Sequence, residues 1–390
     1  MAPKLSCSPT SGFCSLLLSV TVGLDSSHNG RGCNSNAQVN NHLVTRYSLS
    51  YEEESKLTMP KNPLAMRVDL QRPPEALPLG APKLAAIVKG DVPLWRERWE
   101  SFLFGDNDIP KPDKDCKWLE IKRTGPNKES NKIKRFHLNY RIDDRQRAEA
   151  HLLLPKNRKG KLPGVVVFHE TYPVDDPWEA AGSLDPKCAI RSGSPTEDVV
   201  KDSTYIAAHL ARKYAVIVPR CFIFTKKTRS KKKPWDFDAA LKKMKINHPN
   251  WKWGISQMIL GGMRAVDVLR KQPEVDCNNI GAIGHSLGGK QVLFVMAFDQ
   301  RINVGVSSDG GIGLYFSDWD KAWYLGPEIR YREFDTNQIL AMVAPGAFLL
   351  VGGKHDNDRA WPFIAEAMPL WKAEGCLGKV GSYRHDKGHC

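Results

Sequence analysis

The sequence predicts an α/β protein: a mostly parallel sheet of about eight strands with helices on both faces. Three observations predict it. Short apolar runs alternate with helix-length segments from about residue 164 onward. Gly164-Val-Val-Val-Phe168 is wholly apolar, as a strand buried on both faces must be. The stretch Asn279–Lys290 runs from a short apolar strand into Gly284-His-Ser-Leu-Gly288 and then into a helix-like segment, Gln291–Phe298.

The elements follow in order. Lys83–Phe104 is a helix whose Trp95, Trp99 and Phe102 recur at helical spacing. Trp118–Lys122, Lys134–Tyr140 and Ala148–Leu154 alternate or run apolar, as consecutive antiparallel strands opening a sheet would. Gly164–Phe168 is the first central parallel strand. A helix over Val199–Lys213 leads to a strand at Tyr214–Val218, and a long loop then carries the basic run Lys226–Lys233. Ile255–Lys271 is a helix, followed by the Ile280 strand, the sharp turn and its helix. Val304–Ser308, Ala347–Val351 and Val380–Tyr383 are the later strands, with a helix over Trp361–Ala373 between the last two. The order is doubly wound, which puts chemistry at the carboxyl ends of the strands.

Composition bounds the rest. A hydrophobic content of 41% over 390 residues supports a sizeable core. The net charge of +14 makes anionic partners plausible, yet no nucleic-acid-binding module surrounds Lys226–Lys233, so that run reads as a solvated loop. Nine cysteines without a C-x-x-C spacing give neither a zinc site nor a dense disulfide framework. No stretch reaches the roughly 20 apolar residues of a membrane span. Ser15–Leu24 has the length of a signal-peptide core, but the segment before it carries only Lys4 and no small-residue cleavage site follows. Residues 1–60 are expected to be disordered, cleaved or untranslated, with Met59 and Met66 as alternative starts. Residues 61–115 read as an N-terminal extension with one helix, and 116–390 as the catalytic domain.

Gly284-x-Ser286-x-Gly288 between a strand and a helix is a nucleophile elbow. Small residues at 284 and 288 let backbones pass closely, and the following helix offers free N–H groups to a developing oxyanion. A serine hydroxyl needs a base, and the base needs a carboxylate.

Here the chain resembles the α/β-hydrolase superfamily, and more closely bacterial dienelactone-hydrolase-like and acetyl-xylan-esterase-like proteins, over residues 85–390. The likeness rests on Gly164–His169, Met263–Leu269 with Pro273–Asp276, Gly284–Gly289 with Ala297–Asp299, Asp356–Pro362 and His385–His389. It implies the order Ser, acid, His. The base is His389, after a glycine, with His385 as the alternative. The acid is Asp356, with Asp358 as close rival and Asp309 as a third option. Leu287 N–H is the first oxyanion donor and Glu170 or Thr171 the second. Because the chain stops at Cys390, the helix that usually follows this histidine is expected to be absent.

Glucuronoyl esterases are a looser likeness: they carry a lysine four residues after the nucleophile, as Lys290 stands here, but an arginine where this chain has Leu287. Lys290, Arg330 and Arg332 are candidate contacts to substrate carboxylates or hydroxyls. Trp319 and Trp323, with Tyr315 and Tyr324, and Trp235, Trp251 and Trp253 are candidates for a sugar-binding rim or for packing. The implied activity is serine hydrolysis of a carboxylic ester, an acetyl or related ester of a carbohydrate, through an acyl-enzyme, with no metal or organic cofactor. The competing readings are a peptidase of the oligopeptidase kind and a binding protein on a hydrolase scaffold.

Overall fold

The computed structural model describes residues 90–105, 108–112, 119–130, 132–171, 177–184, 206–225, 236–314, 317, 319, 322–326, 329, 334–353 and 360–384. Its centre is a nine-stranded sheet, one strand more than expected. In chain order the elements are α1 (Asp91–Phe104), β1 (Ile121–Glu129), β2 (Ile133–Arg141), β3 (Arg147–Pro155), β4 (Leu162–Phe168), α2 (Pro177–Ala181), α3 (Ile206–Leu210) and β5 (Ala215–Pro219). There follow α4 (Phe237–Asn247), α5 (Gly254–Arg270), β6 (Val275–His285), α6 (Leu287–Phe298), β7 (Val304–Ser308), α7 (Ala322–Leu325), α8 (Thr336–Ala341), β8 (Ala347–Gly352), α9 (Ala360–Ala373) and β9 (Val380–Arg384). The spatial order is β1-β2-β3-β5-β4-β6-β7-β8-β9. β1, β2 and β3 form an antiparallel meander joined antiparallel to β5, and all later neighbours are parallel.

The central strands are apolar because both faces are covered. In β4, Val166 and Phe168 enter the core beneath α1, α5 and α6, while Val165 and Val167 enter a second core on the other face. α5 is buried along nearly its whole length, from Gly254 to Leu269. It lies close enough to α6 that a Cβ on Gly262 would stand 2.4 Å from Val295 Cγ2. α1 docks through Trp99, Leu103 and Phe104. Trp99 Nε1 donates to Gln338 Oε1 at 2.9 Å, and its ring meets Phe294 edge-on with centroids 5.7 Å apart.

Three departures from the sequence reading have physical causes. β1 starts at Ile121 and runs past the expected end at Lys122 and through Gly125-Pro126; on an edge strand these residues are absorbed as a register shift between Thr124 and Lys128. α4 occupies part of the expected long loop, capped by Asp236, whose side chain accepts from Ala239 N at 3.0 Å. α8 likewise falls in a stretch with no expected element, and its cap is Asp335. No helix among the described residues is long and apolar enough to cross a membrane.

Candidate active site

Ser286 joins β6 to α6 with φ 54° and ψ −114°, a strained conformation for a residue with a Cβ. The surroundings over-determine it. Ser286 N–H donates to Ser308 O at 2.7 Å, and Lys290 N–H donates to Ser286 O at 3.1 Å. A Cβ on Gly284 would lie 2.4 Å from Gly288 C, and one on Gly288 would lie 2.1 Å from Phe168 O. The elbow is thus wedged against the carboxyl end of β4, and only glycine fits at either position. Leu287 opens α6, so its N–H has no carbonyl within the helix to bond, and the next residue, Gly288, abuts Phe168 and His169 at the end of β4.

That turn is held by His169. The ring accepts the Cys221 N–H at Nε2 (3.0 Å) and stands 3.1 Å from Glu170 O through Nδ1. An acceptor at Nε2 fixes the tautomer: the proton is on Nδ1 and is donated to the Glu170 carbonyl. Burial is the main cause that lowers the His169 pKa, to about 4, so the ring stays neutral. Glu170 is buried and its carboxylate reaches His285 Nε2 at 3.4 Å, while His285 Nδ1 lies 3.1 Å from Ser308 Oγ and 3.8 Å from Asp309 Oδ2. The Glu170 side chain therefore braces β6, and its backbone remains with the turn. Thr171 is exposed at the mouth.

Among the described residues Asp309 is the second with a Cβ at positive φ, 46°. It is fully buried at the end of β7. Its N–H donates to Val351 O at 2.7 Å, and its Oδ1 accepts from Gly353 N at 2.7 Å. Asp356, Asp358, His385 and His389 lie outside the described residues, as do Trp235, Tyr315, Arg330, Arg332 and the basic run Lys226–Lys233. The strands that carry the acid and base candidates are described. His285, Ser308, Val351 and Tyr383 form one row across β6, β7, β8 and β9. With ~4.8 Å between neighbouring strands, the exits of β6 and β9 are about 14 Å apart on the same sheet edge.

The described aromatic candidates pack against other side chains, most of them buried. Trp319 and Trp323 are 6% and 9% exposed. Trp319 packs on Phe294, and Trp323 stacks on Phe237 with centroids 5.4 Å apart. Trp251 is buried against His248, 3.8 Å between centroids. Trp253 stacks on Phe102. Lys290 is fully buried, its Nζ 5.3 Å from the Trp319 ring centroid and 5.6 Å from that of Tyr324. Among the described residues no three His, Cys, Asp or Glu side chains are grouped to hold a metal ion.

The acid response of the fold follows from two buried histidines. His151 lies on Trp178 with centroids 3.8 Å apart, and burial lowers its pKa to about 4, as it does for His169. Unfolded, each ring protonates near pH 6.5. Between about pH 4 and 6.5 these two rings bind more protons in the unfolded chain than in the folded one, so their contribution to stability rises with pH across that window and is lost on acidification. Each ring contributes on the order of 3 kcal/mol across it. Thermal melts between pH 4 and 7 should show Tm falling as the pH is lowered, with a shallower slope in His151→Gln.

A sequence model of the fungal glucuronyl esterase family matches residues 205–322, which include the elbow. YtaP of Bacillus subtilis (strain 168), a provisionally named hydrolase, is 24% identical over 223 residues, covering 55% of this chain and 68% of that protein. Among solved structures, a glucuronoyl esterase from Solibacter usitatus is similar with a TM-score of 0.56 at 16% identity, covering 77% of this chain and 88% of its own. A Bacteroides fragilis protein provisionally named an acetyl xylan esterase gives 0.57 at 13% identity, with 80% of each chain covered. The architecture shared with these proteins is the α/β-hydrolase fold.

Proposed function

We propose that this chain, having the α/β-hydrolase fold, is a serine carboxylic ester hydrolase that acts on an esterified carbohydrate through an acyl-enzyme on Ser286. The observation that carries the proposal is the elbow: Ser286 is held at φ 54° by glycine-only contacts, with Gly288 at the start of α6 wedged against Phe168 and His169. In the reaction Ser286 Oγ attacks the ester carbonyl and gives its proton to His389, with His385 as the alternative base. Asp356 orients that histidine, with Asp358 and Asp309 as alternatives. The oxyanion is met by Leu287 N–H and by the N–H of Glu170 or Thr171. The histidine then protonates the departing alkoxide, and water, activated by the same base, releases the acid and restores Ser286.

Likeness to glucuronoyl and acetyl xylan esterases supports a carbohydrate ester, in which the sugar is either the alcohol, as in an acetylated sugar, or the acid, as in a uronate ester. Leu287, in place of the arginine of glucuronoyl esterases, supports the first. Lys290, a buried cation one turn from Ser286, and the family match over residues 205–322 support the second. The apolar run Ser15–Leu24 is consistent with export toward a polymeric substrate. The test measures acetate released from acetylated xylo-oligosaccharides beside methanol released from methyl glucuronate. Acetate alone supports the acetyl reading and methanol the uronate reading. Turnover of neither by folded protein would remove the carbohydrate from the proposal.

A further inference from the structure

We propose that a cavity behind the oxyanion turn binds one neutral, hydroxyl-rich pyranose ring; its link to the reaction rests on the esterase reading above. The cavity, about 110 Å³, lies between the carboxyl end of β5, the start of β3, and helices α4 and α5. A water needs roughly 10–15 Å³ of such space, so several water-sized groups fit: the scale of one sugar ring, not of an oligosaccharide.

Two adjacent glycines, Gly261 and Gly262, lie inside α5. Glycine weakens a helix interior, so each needs a reason. Gly262 has one in the close approach of Val295. A Cβ on Gly261 would meet nothing within 4 Å, and Gly261 lines the cavity. Its missing side chain leaves space open rather than permitting contact.

The lining defines the ligand. Gln257 and Gln291 are 2% and 6% exposed and offer amides that both donate and accept. Gln291 Nε2 donates to Met258 O at 2.8 Å, which fixes the orientation of that amide. Met244 and Met258 supply an apolar face for ring C–H groups. The guanidiniums at the rim are already engaged: Arg220 with Glu149 at 3.1 Å and Arg147 with Glu120 at 3.0 Å. What remains inside the cavity is a hydrogen-bonding surface for hydroxyls; the one lysine among the lining residues, Lys243, is exposed at the rim. The cavity is also tied to the catalytic turn. Cys221 lines it, and the Cys221 N–H is the group that fixes the His169 ring against Glu170. Gln291 stands on α6, the helix that Ser286 opens.

The test is a ligand-observed NMR titration with methyl β-D-xylopyranoside against the full chain, Ser286→Ala, Gly261→Leu and Gln257→Leu, each checked by thermal melt. Wild type and Ser286→Ala should bind saturably with equal affinity, because binding needs no turnover. Gly261→Leu, which fills the cavity while favouring the helix, and Gln257→Leu, which keeps the space but removes the amide, should each bind at least tenfold more weakly. Should Gly261→Leu not fold, Gln257→Leu alone decides. Absence of saturable binding to wild type, or wild-type affinity in the folded variants, overturns the proposal. Wild type that binds the sugar but hydrolyses no ester would instead count against the esterase reading.

Discussion

Ser286→Ala is expected to abolish hydrolysis of p-nitrophenyl acetate, lowering kcat on the order of 10⁴–10⁶-fold, while leaving the melting temperature within a few degrees of wild type. The two halves have separate causes. The hydroxyl is the only group proposed to bond covalently to the acyl carbon, and the backbone donors left behind can stabilise an oxyanion but cannot form an acyl-enzyme. The backbone of the elbow is held by other groups. Ser286 contributes its backbone N–H to Ser308 O, and its side chain makes no cap to α6. Alanine keeps both the backbone bond and the positive φ. A large fall in melting temperature would mean that Ser286 is held for structure, and the functional reading of its strained conformation would fail.

The second large effect is expected at Gly288. In Gly288→Ala the new Cβ would lie 2.1 Å from Phe168 O, 2.7 Å from Phe168 C and 3.3 Å from His169 O. All three are backbone atoms, so no flexible side chain can yield. Relief requires α6 and the end of β4 to move apart, although β4 and β6 are locked in register from Gly164↔Ile280 to Phe168↔Gly284. The cost is expected to be ~3–5 kcal/mol, at the severe end for one substitution. The same movement draws Leu287 N–H away from the His169-Glu170 turn. Protein that remains folded should therefore lose a further ~10²–10³ in kcat, the scale of one oxyanion donor. Chemical denaturation and p-nitrophenyl acetate kinetics on the soluble fraction measure the two losses separately. Unchanged stability would contradict the close approach of β4 and α6.

The parts of this site that local sequence could reveal are those made by neighbours in the chain. Glycines two residues either side of Ser286, an apolar strand before it and a helix after it identify the elbow, because the constraint is spacing. β4, β5, α5 and β6 were legible for the same reason: a strand buried on both faces must be apolar, and a helix under a sheet must repeat. α4 was hidden by the adjacent basic run, although Asp236 as a cap and the apolar pair Ala240 and Met244 were available as signals. The brace of the oxyanion turn was not legible. His169 and Cys221 are 52 residues apart, and nothing near either one announces the contact. Glu170 is similar: its position after β4 could be read, but its bond to His285 depends on β4 and β6 being neighbours in space. Trp319 and Trp323 sit in a stretch without periodicity, so rim and core could not be told apart there. The structure buries both, and with them Lys290.

The most direct test of the account is to treat the full chain with a fluorophosphonate, digest it, and locate the adduct by mass spectrometry. The account predicts a single stoichiometric phosphonyl adduct on Ser286, absent in Ser286→Ala. A folded wild-type protein that remains unlabelled, or that carries its adduct on another serine, would contradict it.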